Sequence, residues 1–231
     1  FLNAREAYRY YGFEHFLGIE DLDLGSDWHA LRDGQLFDKA LGAIDKMRDG
    51  RPLFVFLLTI RNHGPHAEKH ADLPQPVAPA LAALPAPLAD YLQRQQDSED
   101  ALNSLGKRWL ESDRPRVLAW FGDHQPLFAT KAKRAADYAA AHFSQAPTDD
   151  QLRYATWYAM TSNRPAGLER EPASGAQGES PLDIAYLGAR LLAFSGLPPR
   201  ASDAATFQIQ ALCPLGIALC GDAKTVREYL S

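Results

Sequence analysis

Long hydrophobic runs are missing from this sequence. No stretch approaches the roughly 20 consecutive apolar residues that span a bilayer, so no membrane-crossing helix is predicted within it. Residues 1–30 are too charged, and too poor in a central apolar stretch, to read as a secretory signal. Basic runs are missing too. The formal net charge is -5, which gives the chain no overall attraction to nucleic acid. Cysteine is scarce, with Cys213 and Cys220 only, in C-P-L-G-I-A-L-C. That spacing and number do not suit a zinc site. A disulfide across the short loop and a pair of buried thiols are both compatible with it. No internal repeat is visible. The chain opens on Phe1 rather than Met, which predicts a piece of something longer.

What is present reads as globular. The 231 residues are 46% hydrophobic and 23% charged, enough for one sizeable α/β domain. Residues 3–11 predict a short helix ended by Gly12. Residues 35–48 place Leu36, Phe37, Ala40, Leu41, Ile44 and Met47 at helical spacing, and Gly50 closes the pattern. L-F-V-F-L-L-T-I, 53–60, is a continuous apolar run that suits a central strand covered on both faces. Residues 73–87 are rich in proline and alanine and predict an extended loop. A long polar helix is expected over 88–110, with Leu92, Leu102, Leu105 and Trp109 inward. Residues 117–121 predict a second buried strand, 131–142 an alanine-rich helix or loop, and 154–161 a third strand. Residues 163–181 read as a loop. Residues 182–194 read as an amphipathic helix started by Pro181 and ended by Gly196. Alternating strands and helices predict an α/β sandwich with a largely parallel sheet.

Two strand ends carry unusual polar sets. One is T-I-R-N-H-G-P, 59–65, and the other is F-G-D-H-Q-P, 121–126. A carboxylate and a neutral imidazole are both good ligands for Zn²⁺ or Mn²⁺. Gly122 lets the backbone bend so that Asp123 and His124 aim at one point. His63, from the other strand end, can ligate a second ion or hold an anionic substrate. Each tip taken alone also reads as a solvated turn. His66 and His70 extend the first set, as a metal-binding tract or as a loop beside the site.

These residues carry a resemblance. F-L-N-A-R-E-A-Y-R-Y-Y-G-F-E-H-F, then L-F-V-F-L-L-T-I-R-N-H-G-P, then V-L-A-W-F-G-D-H-Q-P resemble the sulfatase-like branch of the alkaline phosphatase superfamily. Within it they are most similar to the lipoteichoic acid synthase, phosphoglycerol transferase and phosphoethanolamine transferase group. The resemblance also takes in Y-A-T-W-Y-A-M-T-S-N and L-D-I-A-Y-L-G-A-R-L-L, and covers most of residues 1–200. It implies an alkaline-phosphatase-like three-layer sandwich with a largely parallel central sheet. Residues 1–231 would be the C-terminal portion of one catalytic domain, with its N-terminal part missing.

The resemblance also implies roles. Asp123 and His124 match the adjacent metal ligands, and His63 matches the catalytic histidine that meets the substrate phosphate or a second metal. Asn3 falls in the substrate-binding motif ahead of Tyr8 and Gly12. Leu2 stands where an aromatic residue is common, and Ala4 stands where a substrate-binding Arg is expected, so Arg5 is the candidate substitute. Arg61 can pair with the phosphate or be a solvated strand-end arginine. The family's Thr nucleophile and its first-strand acidic ligand would lie upstream of Phe1, so this chain alone is expected to be inactive. No C-x-P-S-R sulfatase signature occurs in it.

For the intact protein the resemblance implies a metal-dependent transferase, using Mn or Zn, that works through a covalent phospho-enzyme. Its donor would be an anionic phospholipid or other phosphate ester and its acceptor an envelope glycan or lipid, with no nucleic-acid partner. Its location would be periplasmic or otherwise extracytoplasmic, with membrane attachment through a segment outside this chain. A sulfatase or phosphodiesterase-type hydrolase of the same superfamily is the alternative. A non-catalytic envelope-binding domain is another.

Overall fold

The computed structural model describes residues 3–28, 30–67, 81, 84–124, 156–164, 182–214, 216–217 and 220–230. The chain divides into two compact units, 1–107 and 108–231, and each is described by itself. The predictions for 131–142, for most of the 163–181 loop, for His70 and for most of the proline-rich stretch fall outside the described residues.

The first unit begins with α1 (Ala4–Tyr10). Tyr8 gathers an aromatic cluster around it, with Phe13, Phe16 and Phe56 at ring-centroid distances of 5.4, 5.8 and 5.8 Å. α2 (Asp33–Met47) buries Leu36, Phe37, Ala40 and Ile44, which recur at the spacing of one helical face. Gln35 Oε1 accepts the Arg32 N–H at 3.2 Å and so satisfies one donor ahead of the first turn. α3 (Ala86–Leu110) starts directly after Pro85, whose carbonyl accepts from Leu88 and Ala89. The start of α2 lies beside α3, since a Cβ built on Gly34 would come 3.7 Å from the Ala101 Cβ.

Residues 53–60 depart from expectation. The run makes no strand ladder among the described residues, and Phe54 and Leu58 are 64% and 63% exposed. It packs through two of its rings, with Phe54 against Phe13 and Phe56 against Tyr8. Apolar composition predicts that a segment wants cover; it does not supply the covering strand.

The second unit contains β1 (Val117–Phe121) and β2 (Tyr158–Ser162), which pair antiparallel from Val117↔Ser162 to Phe121↔Tyr158. This is the one strand pair among the described residues, and its direction differs from the parallel order that the alternation of elements suggests. Asn163 anchors the foot of the strand pair. Its Oδ1 accepts the Arg116 N–H at 2.8 Å, and its Nδ2 donates to the carbonyls of Ser112 and Arg114, both at 2.8 Å. Trp109 Nε1 donates to the Val117 carbonyl at 2.9 Å, and the Arg116 guanidinium lies 4.5 Å above the Trp109 ring.

Three helices close this unit: α4 (Ile184–Phe194), α5 (Ala201–Leu212) and α6 (Ala223–Leu230). α4 is capped by Asp183, whose carboxylate accepts from the Ala185 N–H, and it ends at Gly196 with φ 68°. Tyr186, Ile209 and Cys213 form a buried cluster, with Leu182, Ile217, Cys220, Val226 and Tyr229 packed on it. Cys213 and Cys220 are joined as a disulfide.

Candidate active site

Each of the two tips is built by its own surroundings. At the tip of β1, the Gly122 N–H donates to the Trp157 carbonyl at 3.0 Å, which carries the ladder one residue further. The Thr156 hydroxyl then donates to the Gly122 carbonyl at 2.6 Å. A Cβ on Gly122 would come 3.2 Å from the Thr156 Cβ, so only glycine fits without displacement. Beyond that point the next two side chains emerge into solvent, Asp123 at 78% and His124 at 68% side-chain exposure. Asp123 Oδ1 accepts the His124 backbone N–H at 2.9 Å, which orients the carboxylate. Asp123 Oδ2 then lies 3.6 Å from His124 Nε2.

That separation has a chemical meaning. Oxygen and nitrogen ligands about 2.0–2.2 Å from one tetrahedral ion lie about 3.3–3.6 Å apart. One anionic oxygen and one imidazole nitrogen at this spacing fit two positions of a divalent metal's ligand set. Among the described residues no group of three or more His, Cys, Asp or Glu completes it.

The other tip is the loop 61–67, in the first unit. Its two predicted residues face opposite ways. The Arg61 side chain is fully buried, with Nε 3.4 Å from Asp97 Oδ2 and no hydrogen-bond partner for its three nitrogens among the described residues. Asp33 sits against the same group and accepts from the Arg61 backbone N–H; burial raises its carboxyl above the usual carboxylate range. Arg61 is therefore an interior ion-paired residue, not the solvated strand-end arginine that its position suggests.

His63 is exposed, edge-on to the Trp28 ring at 5.7 Å. Its Nδ1 is 2.6 Å from the Gly64 carbonyl, which can only accept, so the proton of the neutral ring sits on Nδ1 and the lone pair on Nε2.

Beneath the loop lies a cluster that sequence reasoning missed. Asp90 and Arg94, one turn apart on α3, are both buried and joined at 2.6 Å. The His66 ring stands 3.5 Å from Asp90 Oδ2 and 5.5 Å from the Tyr91 ring. Burial, then the Arg94 charge, holds the His66 imidazole below its usual pKa, against the opposing pull of Asp90. The sequence signal was the stripe Asp90, Arg94 and Asp97 on one helical face, charged yet facing the loop.

Asn3 and Arg5 lie at α1. Asn3 precedes the helix with φ 54°, and its carbonyl accepts from the Ala7 N–H. Arg5 donates to Asp21 Oδ2 at 2.7 Å and to the Phe16 carbonyl at 3.0 Å, with its guanidinium 5.0 Å from the Phe16 ring centroid. The structure thus brings Asp123 to His124 and places His63 and Arg61 on one loop, while Arg5 is turned to Asp21.

Comparison with known proteins adds two relatives. An uncharacterized protein of Haemophilus influenzae (strain Rd) is 27% identical over 240 aligned residues, covering 97% of this chain and 39% of that protein. A Rhizobium meliloti (strain 1021) protein named "Putative cyclic beta-1,2-glucan modification protein" is 28% identical over 140 residues, covering 56% of this chain and 20% of that protein. The chain spans less than half the length of either relative. No family model and no solved structure matches it.

Proposed function

We propose that this chain is part of a metal-dependent transferase that moves a phosphoglycerol or phosphoethanolamine group onto a cell-envelope glycan or lipid. The observation that carries the reading is the β1 tip, where a carboxylate oxygen and an imidazole nitrogen stand 3.6 Å apart in solvent. A relative named for glucan modification supports an envelope-modifying role. The Cys213–Cys220 disulfide supports an extracytoplasmic location, where such bonds persist. The fold in this reading is an alkaline-phosphatase-like sandwich completed by chain outside these residues, with membrane attachment outside them as well.

Asp123 Oδ2 and His124 Nε2 would hold Mn²⁺ or Zn²⁺. Such an ion lowers the pKa of a hydroxyl nucleophile and offsets charge on phosphoryl oxygens. His63 meets the substrate through Nε2, accepting a proton as the neutral ring or donating to a phosphoryl oxygen as the imidazolium. Asn3 and Arg5 meet the anionic head group of the donor. Arg5 Nη1 and Nη2 are held by the Phe16 carbonyl and by Asp21, so to meet the donor's anion Arg5 must share or leave that pairing. Arg61 serves from below, by holding the loop that carries His63.

The test is product formation by the full-length protein. It is incubated with phosphatidylglycerol or phosphatidylethanolamine, a β-glucan acceptor, and Mn²⁺, Zn²⁺ or chelator. Mass spectrometry should show a glucan that gains a phosphoglycerol or phosphoethanolamine group only with metal. No product from either donor, or equal product with chelator, contradicts the reading.

A further inference from the structure

One ion pair holds both ends of the loop 61–67. The Arg94 fork is divided between two jobs. Its Nε donates to Asp90 Oδ1 at 3.1 Å, and its Nη2 lies 2.6 Å from Asp90 Oδ2. Its Nη1 turns the other way, to the His63 carbonyl at 3.2 Å and the Arg61 carbonyl at 3.5 Å. The Asp90 carboxylate reaches the far end, where Oδ2 accepts the Ala67 N–H at 2.8 Å. Asn62 adds a link of its own, donating from Nδ2 to Gln95 Oε1 at 3.0 Å.

We propose that Asp90 and Arg94 are positioning residues that hold the His63 imidazole with Nε2 presented as the reacting nitrogen. This rests on the reading of His63 as the substrate-contacting histidine. The pair itself touches no substrate, since the Arg94 side chain is fully buried and that of Asp90 nearly so.

Three features separate this from a pair that merely stabilises α3. A buried ion pair needed only for stability can be exchanged for apolar side chains of similar volume. Here an apolar pair would strand two loop carbonyls and the Ala67 N–H. The loop is also held in a conformation its residues do not favour, because Ala67 has φ 64°, where a Cβ crowds the backbone. Its N–H is the one that Asp90 holds, so the carboxylate maintains the strained end. The third feature is the result. With the carbonyls of residues 61 and 63 fixed from below, the Gly64 carbonyl lies 2.6 Å from His63 Nδ1. That contact decides the tautomer, much as an outer hydrogen bond decides which nitrogen of a histidine is available to react.

Nitrogen-15 imidazole spectra of the full-length protein, with His63 assigned through His63→Gln, test the proposal. The parent should show His63 in the Nδ1–H form. Asp90→Asn combined with Arg94→Gln leaves no buried charge unpaired, so it should fold; it should move His63 toward the Nε2–H form that a free imidazole prefers. Arg94→Lys, which keeps the charge and one donor, should give a partial shift. Leu105→Ala, destabilising in the same unit but away from the loop, should give none. In the full-length protein the double variant should lose about 10- to 100-fold in kcat with little change in KM, the scale of losing an outer partner of a reacting group. An Nε2–H parent, or a double variant that keeps the Nδ1–H form, overturns the positioning role. Full turnover in His63→Ala instead overturns the catalytic reading of His63 and the purpose of the clamp with it.

Discussion

The Thr156 hydroxyl donates to the Gly122 carbonyl at 2.6 Å, and the Thr156 side chain fills the space where a Gly122 side chain would be. This contact sets the direction in which the chain leaves β1, and so where Asp123 and His124 point. Gly122→Ala should push the tip a few tenths of an ångström away from Thr156, at a cost of about 1 kcal/mol or less at this exposed position. Thr156→Val removes the hydroxyl but keeps the volume, and should cost about 1 kcal/mol. Chemical denaturation measures both. Mn²⁺ affinity of the full-length protein should fall more in Gly122→Ala than in Thr156→Val. Equal affinities in both variants and the parent would mean that the tip does not direct the ligands.

Arg61→Met separates a structural role from direct substrate contact. It leaves the buried Asp33 and the partly exposed Asp97 without their shared cation. Removing the cation from one buried and one partly exposed carboxylate costs about 1–3 kcal/mol. Denaturation of the chain should show a loss on that scale. Unchanged stability with a raised KM for donor in the full-length protein would return Arg61 to the substrate surface.

His66 sets a pH dependence whose direction follows from its environment. Its folded pKa lies below the ordinary imidazole value of about 6.5, so the unfolded chain binds its proton first as pH falls. Stability from this group is present above about pH 6.5 and is lost as pH falls from there through the depressed folded value. The facing groups are Asp90, Arg94, Tyr91 and His63. His66→Gln should flatten the difference in thermal midpoint between pH 7.5 and pH 5.5. An unaltered difference in that variant would assign the acid sensitivity elsewhere.

The disulfide closes a loop that Asp183 also holds, through the Ile217 N–H at 2.8 Å. Closing eight residues stabilises by about 2–3 kcal/mol in the chain-entropy account. Reductant, or Cys213→Ala with Cys220→Ala, should shift the denaturation midpoint of the chain by that much. No shift would show that the capped helix and the Tyr186 cluster hold this region unaided.

Several of these features could be read from residue order, and others could not. α2, α3 and α4 were legible because Leu36, Phe37, Ala40 and Ile44, or Leu105 and Trp109, recur at helical spacing. The β1 tip was legible because a short apolar run stops at Gly122 and delivers Asp123 and His124 together. The partner and direction of β1 were not, because they depend on which distant strand arrives. Residues 53–60 show the same limit: their apolar character is plain in the sequence, and their cover is not. Asp90 and Arg94 went unread on a helix taken as polar, and only the loop folded over them makes them interior. Arg61 was misplaced for the same reason. α5 and α6 went unread, although Asp203 and Asp222 mark their starts by accepting the N–H groups of Arg200 and Lys224.

Asp123 and His124 are proposed to serve metal-dependent transfer. Turnover of the full-length protein with phosphatidylglycerol and β-glucan in Mn²⁺, compared among parent, Asp123→Ala and His124→Ala, tests it most directly. Both side chains are largely solvent-exposed, so both variants should fold with a thermal midpoint close to the parent's. Each should lose about 10³-fold or more in turnover, the scale of removing a group that stabilises transition-state charge. Near-parent turnover in both folded variants would contradict it.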